Sequence, residues 1–302
     1  MEYARNTNVT RSFQKVNLFI VGAAKAGTTS LWKVLGSHPE IYTVNNDLHK
    51  EPAYFSNLGS NMGIKAYHRL FENGAECTYR LDASTAYLTS PESAERIYQY
   101  NPEARILIVL RNPVDRAYSL YCWMVASGYE WAPTFEKALE LEEKRVHSKR
   151  PSFSMPQYYW NYMYKRSGNY SGQVKRYIDL FGDNVLLLSY HDLIRSPETL
   201  VTRIILHLNL QPLDHINFTN ENPSRYVYDA RLTFIIRKIN NILNRLHSND
   251  SVISINERDW LVLMTLKKQR PPPLNNTTRQ MLMEYYRLEF EYFGSKYGIS
   301  FQ

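Results

Sequence analysis

Asn17-Leu18-Phe19-Ile20-Val21-Gly22-Ala23-Ala24-Lys25-Ala26-Gly27-Thr28-Thr29-Ser30-Leu31 is the stretch that decides the fold. Residues 17–21 are apolar and β-rich, and the run stops at Gly22. Gly27 follows, and residues 28–35 then have a helical period. Strand, tight loop and helix in this order form the unit from which parallel sheets are built. Backbone N–H groups and a helix N-terminus meet at such a loop and favour an anion. Lys25 adds a point charge there, and Thr28, Thr29 and Ser30 add hydroxyl donors.

Working outward, residues 105–110 (Arg-Ile-Leu-Ile-Val-Leu) read as a buried parallel strand. Residues 184–189 read as another and 79–81 as a short third. Helices are expected over 28–35, from Ser90-Pro91 through Tyr100, over 114–125 behind Pro113, and over 135–147. Further helices are expected over a long Tyr-rich stretch at 156–181 and over 197–208, 232–246 and 276–297. Strands alternating with helices predict an α/β fold, a P-loop-like parallel sheet flanked by helices, with a helical C-terminal part. With no repeat and no strong linker, a single domain over 1–302 is expected. Residues 1–16 read as a flexible N-terminus and 222–302 as a less typical helical part.

Composition narrows the function classes. The 302 residues are 44% hydrophobic and 22% charged, which argues against disorder and coiled coil. The net charge of +7 suits an anionic partner without choosing one. Cys77 and Cys122 exclude a disulfide scaffold and any Cys-based metal site. The His residues lack ligand spacing, so no metal is expected. Residues 1–15 are polar, and no apolar run approaches the ~20 residues of a membrane helix. A soluble, cytoplasmic protein is the expectation.

The first loop is close to a Walker A pattern, but Thr28 stands where that pattern has its Lys, and Lys25 lies before Gly27. A kinase would also want a carboxylate for Mg²⁺ at another strand end. Here the strand over 105–110 ends in Arg111, a cation. The second motif runs Leu110-Arg111-Asn112-Pro113-Val114-Asp115-Arg116-Ala117-Tyr118-Ser119. An Arg at a strand's carboxyl end and a Ser on the following helix make a receptor for a phosphate monoester. The plainer alternative is an ion pair between Arg111 and Asp115.

Together, Lys-x-Gly-Thr-Thr-Ser-Leu after the first strand and strand-Arg-Asn-Pro-x-x-Arg-x-x-Ser resemble the nucleotide signature of PAPS-dependent sulfotransferases. PAPS is 3′-phosphoadenosine 5′-phosphosulfate. The resemblance covers about residues 17–210 and implies that PAPS is the sulfuryl donor, with no metal. It assigns the 5′-phosphosulfate to Lys25, Ala26, Gly27, Thr28, Thr29 and Ser30, and the 3′-phosphate to Arg111 and Ser119. Lys50-Glu51-Pro52-Ala53-Tyr54-Phe55 is similar to a segment of the bacterial and carbohydrate (heparan-sulfate-type) branch, in which the Glu is the catalytic base. Glu51 takes that role by resemblance, with Lys25 as its catalytic partner; an ion pair with Lys50 is the bland alternative. Leu81-Asp82-Ala83-Ser84-Thr85-Ala86-Tyr87-Leu88 resembles that branch's Glu-Lys-Thr-Pro-Ala-Tyr segment, but Ala83 replaces its Lys. The late Lys-Gly-Arg loop is not found, and Arg225, within Asn222-Pro223-Ser224-Arg225-Tyr226, is the candidate cation in its place.

The resulting expectation is transfer of a sulfuryl group to a hydroxyl or amine of a small-molecule natural product, such as an alkaloid toxin. A carbohydrate O-sulfotransferase and a P-loop kinase are the enzyme alternatives, and a polyanion-binding module is the non-enzymatic one. Neither nucleic acid nor a membrane span is expected as partner. The aromatic run over 157–164 reads equally as acceptor pocket or as core. The basic run over 144–150 reads as a solvated helix end. The basic helix over 232–246, with Arg231, Arg237, Lys238 and Arg245, reads as packed, with membrane or polyanion binding as its alternative.

Overall fold

β1 (Leu18–Gly22) is buried at every position and lies in the middle of a five-stranded sheet. β2 (Ile41–Thr43), β3 (Tyr79–Asp82), β4 (Arg105–Leu110) and β5 (Val185–Ser189) complete it in the order β2-β3-β1-β4-β5. Every pairing is parallel: Leu18 lies opposite both Leu81 and Arg105, Ile41 opposite Tyr79, and Ile106 opposite Val185. A parallel sheet covered on both faces needs apolar side chains on both, which is why β4 is an unbroken aliphatic run after Arg105. This computed structural model describes residues 14–44, 50–56, 62–147, 157–213, 215–218, 226–227, 229–246, 265–267 and 271–301.

Helices α1 (Thr28–Leu35), α2 (Ile64–Arg69), α3 (Ala86–Thr89), α4 (Ser93–Tyr100), α5 (Pro113–Ala126), α6 (Phe135–His147), α7 (Tyr170–Phe181), α8 (Tyr190–Arg195) and α9 (Pro197–His207) connect and flank the strands. α5 begins as the sequence dictates: Asn112 Oδ1 accepts from the amide of Val114 at 3.0 Å, and Pro113 fills the first helical position. The C-terminal part holds α10 (Ala230–Leu246), α11 (Asn276–Tyr285) and α12 (Arg287–Tyr297). There β6 (Tyr226–Val227) pairs antiparallel with β7 (Leu266–Lys267). The predicted α/β architecture is what the structure shows.

Three local expectations differ. The helix predicted over 156–181 begins only at Tyr170; the described residues before it form turns, including short 3₁₀ segments at Tyr159–Tyr162 and Arg166–Gly168. Tyr162, Met163 and Tyr164 are all fully buried. Three consecutive buried residues cannot share the single face that an amphipathic helix buries. The helix predicted over 276–297 is interrupted at Tyr286, whose buried hydroxyl donates to the carbonyl of Lys165. β2 was not expected, since three residues are too few to show a period.

The charged end of α6 also differs, while α10 packs as expected. Arg145, placed on a solvated helix end, is buried and forks onto the fully buried Glu130 at 2.8 and 3.0 Å. In α10, Arg237 is buried and donates to the carbonyl of Ser127 at 2.8 Å. Thr233, Phe234 and Asn240 are buried as well, while Leu232, Ile235, Ile239 and Ile242 remain about half exposed. Many of the tyrosines belong to the core. Tyr67, Tyr87, Tyr162, Tyr164, Tyr170, Tyr177 and Tyr286 are fully buried, and each hydroxyl finds an acceptor. Among the described residues, no helix is long and apolar enough to cross a membrane.

Candidate active site

The sheet order makes the chain reverse its direction of travel beside β1, and ligands of open parallel sheets bind at the carboxyl ends of strands at such a point. The sequence-predicted residues emerge there. Residues 23–27 follow β1, Ala83-Ser84-Thr85 follow β3, Arg111 follows β4 and Tyr190 follows β5.

Gly27 precedes α1 with φ of 76°, a conformation that L side chains resist. A Cβ there would stand 2.8 Å from Leu193 Cδ2 and 3.2 Å from the Tyr190 ring. No acidic residue occupies the first turn of α1, and no side chain caps it. Its positive dipole end therefore carries no negative side chain of its own first turn. Ala26, Thr28 and Ser30 are buried, and Thr29 is half-buried.

Lys25 also has positive φ, at 68°. Its carbonyl accepts from Arg111 Nη1 at 2.8 Å. Burial, and next the Arg111 charge, push its ammonium down to about 8. Its Nζ lies 5.9 Å from the centre of the Trp123 ring. The Arg111 guanidinium lies 4.7 Å from the centre of the Tyr190 ring. The ion pair considered between Arg111 and Asp115 is replaced by one between Asp115 and Arg279 at 2.8 Å. Ser119 lies further along α5 and is 8% exposed.

Glu51 is held on both oxygens. Lys50 Nζ meets Oε1 at 3.0 Å, and Thr85 donates to Oε2 from its amide at 3.2 Å and its hydroxyl at 2.9 Å. The ion pair with Lys50 therefore exists, and it acts as a footing. The Lys50 side chain is 6% exposed and also reaches the Ala83 carbonyl at 3.3 Å, while Glu51 is 43% exposed. Glu51 lies close enough for its charge to act on Lys25. Arg225 falls outside the described residues, as does His49.

Sequence reasoning missed Tyr190, Lys50 and Thr85 as parts of this site. Tyr190 carries a usable signal, being the first residue after a buried parallel strand. Thr85 lies inside a segment already singled out, but its partner is distant in sequence. Of the aromatic run, Tyr158, Tyr162 and Tyr164 are buried, while Gln157, Tyr159 and Trp160 are half-buried.

Comparison with known proteins agrees with this geometry. The family model described as "Sulfotransferase domain" matches residues 15–235. A crystal structure of a sulfotransferase from Alicyclobacillus acidocaldarius is 32% identical, with a TM-score of 0.59, covering 79% of this chain and 98% of that one. The human bifunctional heparan sulfate N-deacetylase/N-sulfotransferase 1 is 32% identical over 108 residues, which is 34% of this chain. Human heparan sulfate glucosamine 3-O-sulfotransferase 5 is 24% identical over 72% of this chain. The chain spans only 12% and 60% of the length of these two human relatives. With the family model matched over most of its length and a sulfotransferase structure 32% identical over 79% of it, the chain belongs to the sulfotransferase family and is a transferase enzyme.

Proposed function

We propose that this sulfotransferase carries a sulfuryl group from PAPS to a hydroxyl or amine of a small natural-product acceptor. The observation that carries the reading is the bond from Arg111 to the Lys25 carbonyl, which sets two cations at adjacent strand ends with Glu51 in electrostatic reach. Two like charges held together in a half-buried place fit a doubly phosphorylated nucleotide, which would relieve both. Lys25 and the amides from Gly27 to Ser30 would hold its 5′ end, and Arg111 and Ser119 its 3′-phosphate. When bound, PAPS supplies the sulfuryl group.

This chain's residues do the rest. Lys25 and the first amides of α1 stabilise negative charge on the 5′ side, at roughly 3–4 kcal/mol per well-placed donor. Glu51 takes the proton from the acceptor oxygen or nitrogen. Thr85 fills both acceptor positions of Oε2 and Lys50 one of Oε1, which fixes the rotamer and leaves Oε1 one further acceptor position. Arg111 stands at the end of β4, where a metal-dependent kinase would need a carboxylate.

A carbohydrate acceptor is the second reading, favoured by the heparan sulfate relatives. Two measurements test the proposal. Thermal shift should show stabilisation by PAP, the desulfated product, and none by ATP with Mg²⁺. A PAPS-fed acceptor panel of phenols, alkaloids and saccharides, read by mass spectrometry, should show the gain of one SO₃ on a non-saccharide. Stabilisation by ATP with Mg²⁺ alone would overturn the donor assignment, and a gain on saccharides alone would establish the second reading.

A further inference from the structure

Asp82 ends β3 and is fully buried. Three hydroxyls donate to it: Ser84 Oγ to Oδ1 at 2.6 Å, and Tyr67 and Tyr87 to Oδ2 at 2.9 and 2.8 Å. Burial pushes this carboxyl up to about 6, and the hydroxyls pull the other way. Three hydroxyls directed at one buried carboxyl are the donors that satisfy it there.

A hydroxyl has one proton to give. Once Ser84 and Tyr87 have given theirs to Asp82, their oxygens can only accept. Both accept from one stretch of backbone: Ala53 N donates to Ser84 Oγ at 2.9 Å, and Phe55 N donates to the Tyr87 hydroxyl at 3.4 Å. That stretch carries Glu51. Ala53 has φ of 52°, a region that a residue with a Cβ holds only when its surroundings impose it. Pro52 fixes φ between them. Thr85, next to Ser84, grips Glu51 itself. One short segment after β3 therefore holds this loop at Ala53 and at Glu51.

We propose that Ser84, polarised by Asp82, is a positioning residue that aims Glu51 by clamping the amide of Ala53. This rests on Glu51 being the base. A carboxylate misaimed by a fraction of an ångström loses much of its value as a base.

The test compares Ser84→Ala with Tyr67→Phe. Tyr67 bonds the other oxygen of the same Asp82 and touches residues 50–56 only through its ring, against Tyr54 and Phe55, which the phenylalanine keeps. Ser84→Ala should lower kcat about tenfold, with PAP affinity held within about twofold. Tyr67→Phe should lower the melting temperature and leave kcat within about twofold. On a Glu51→Gln background, Ser84→Ala should have no further effect on residual turnover. If Ser84→Ala does not fold, Ser84→Cys fills the same space with a weak acceptor and should show the same loss. Equal kcat losses in the Ser84 and Tyr67 variants, wild-type kcat in the Ser84 variant, or an undiminished Ser84 effect without Glu51 would overturn the proposal. Normal turnover in Glu51→Gln alone would instead remove Glu51 as the base, a separate outcome.

Discussion

Arg111 donates through Nη1 to the carbonyl of Lys25 at 2.8 Å, so the loop after β1 and the end of β4 form one unit. The same guanidinium lies against the Tyr190 ring. Arg111→Ala should weaken PAP binding about 10- to 100-fold, the size expected for losing a charged hydrogen-bond partner. Arg111→Lys should recover only part of it, because an ammonium cannot fork onto a phosphate and lie flat on a ring. Calorimetry with PAP decides this, and unchanged affinity in Arg111→Ala would remove Arg111 from the phosphate site.

Lys25 gives the site a pH dependence. Its proton is already loosened to about 8, and a bound phosphate favours the charged form. Raising the pH through about 8 therefore neutralises the free enzyme's lysine and weakens PAP, and binding in that range takes up protons. Calorimetry in buffers of different ionisation heat reads the uptake directly. Lys25→Met should bind weakly and lose this proton uptake.

Replacing Glu51 by Gln keeps the shape and removes the base. Turnover should fall about 10²- to 10⁴-fold, while PAP affinity stays within about twofold. Single-turnover assays and PAP titrations on one preparation separate the two effects.

Glu130, which follows α5, is fully buried and accepts from Arg145, from Tyr164 at 2.9 Å and from the amides of Trp131 and Ala132 at 3.0 Å. Arg145→Ala strands that carboxylate. Urea unfolding should show a loss of about 3–5 kcal/mol. A loss below about 1 kcal/mol would mean that water reaches Glu130 freely.

The proposed donor site was legible because its residues sit beside strongly patterned elements. The apolar runs of β1 and β4 announce strands; Arg111 follows β4 directly, and Lys25 comes three residues after β1. The setting of Glu51 was less legible, since Thr85 and Ser84 reach it across the fold from the end of β3. No local pattern records such a pairing. The aromatic run misled the helix assignment for a related reason: Tyr162 and Tyr164 are buried by distant partners, Tyr129 and Glu130, and their own spacing does not reveal it. Arg145 looked like surface because its partner, Glu130, belongs to an earlier segment.

The phosphate loop is continuous in sequence, yet the cation that grips it arrives with a strand made much later. A nascent chain that ends before β4 has the loop but not its clasp. At the proposed donor site nucleotide affinity is thus a gauge of long-range assembly: its full strength requires that β4 has found β1, and a ligand held across both strand ends stabilises that pairing.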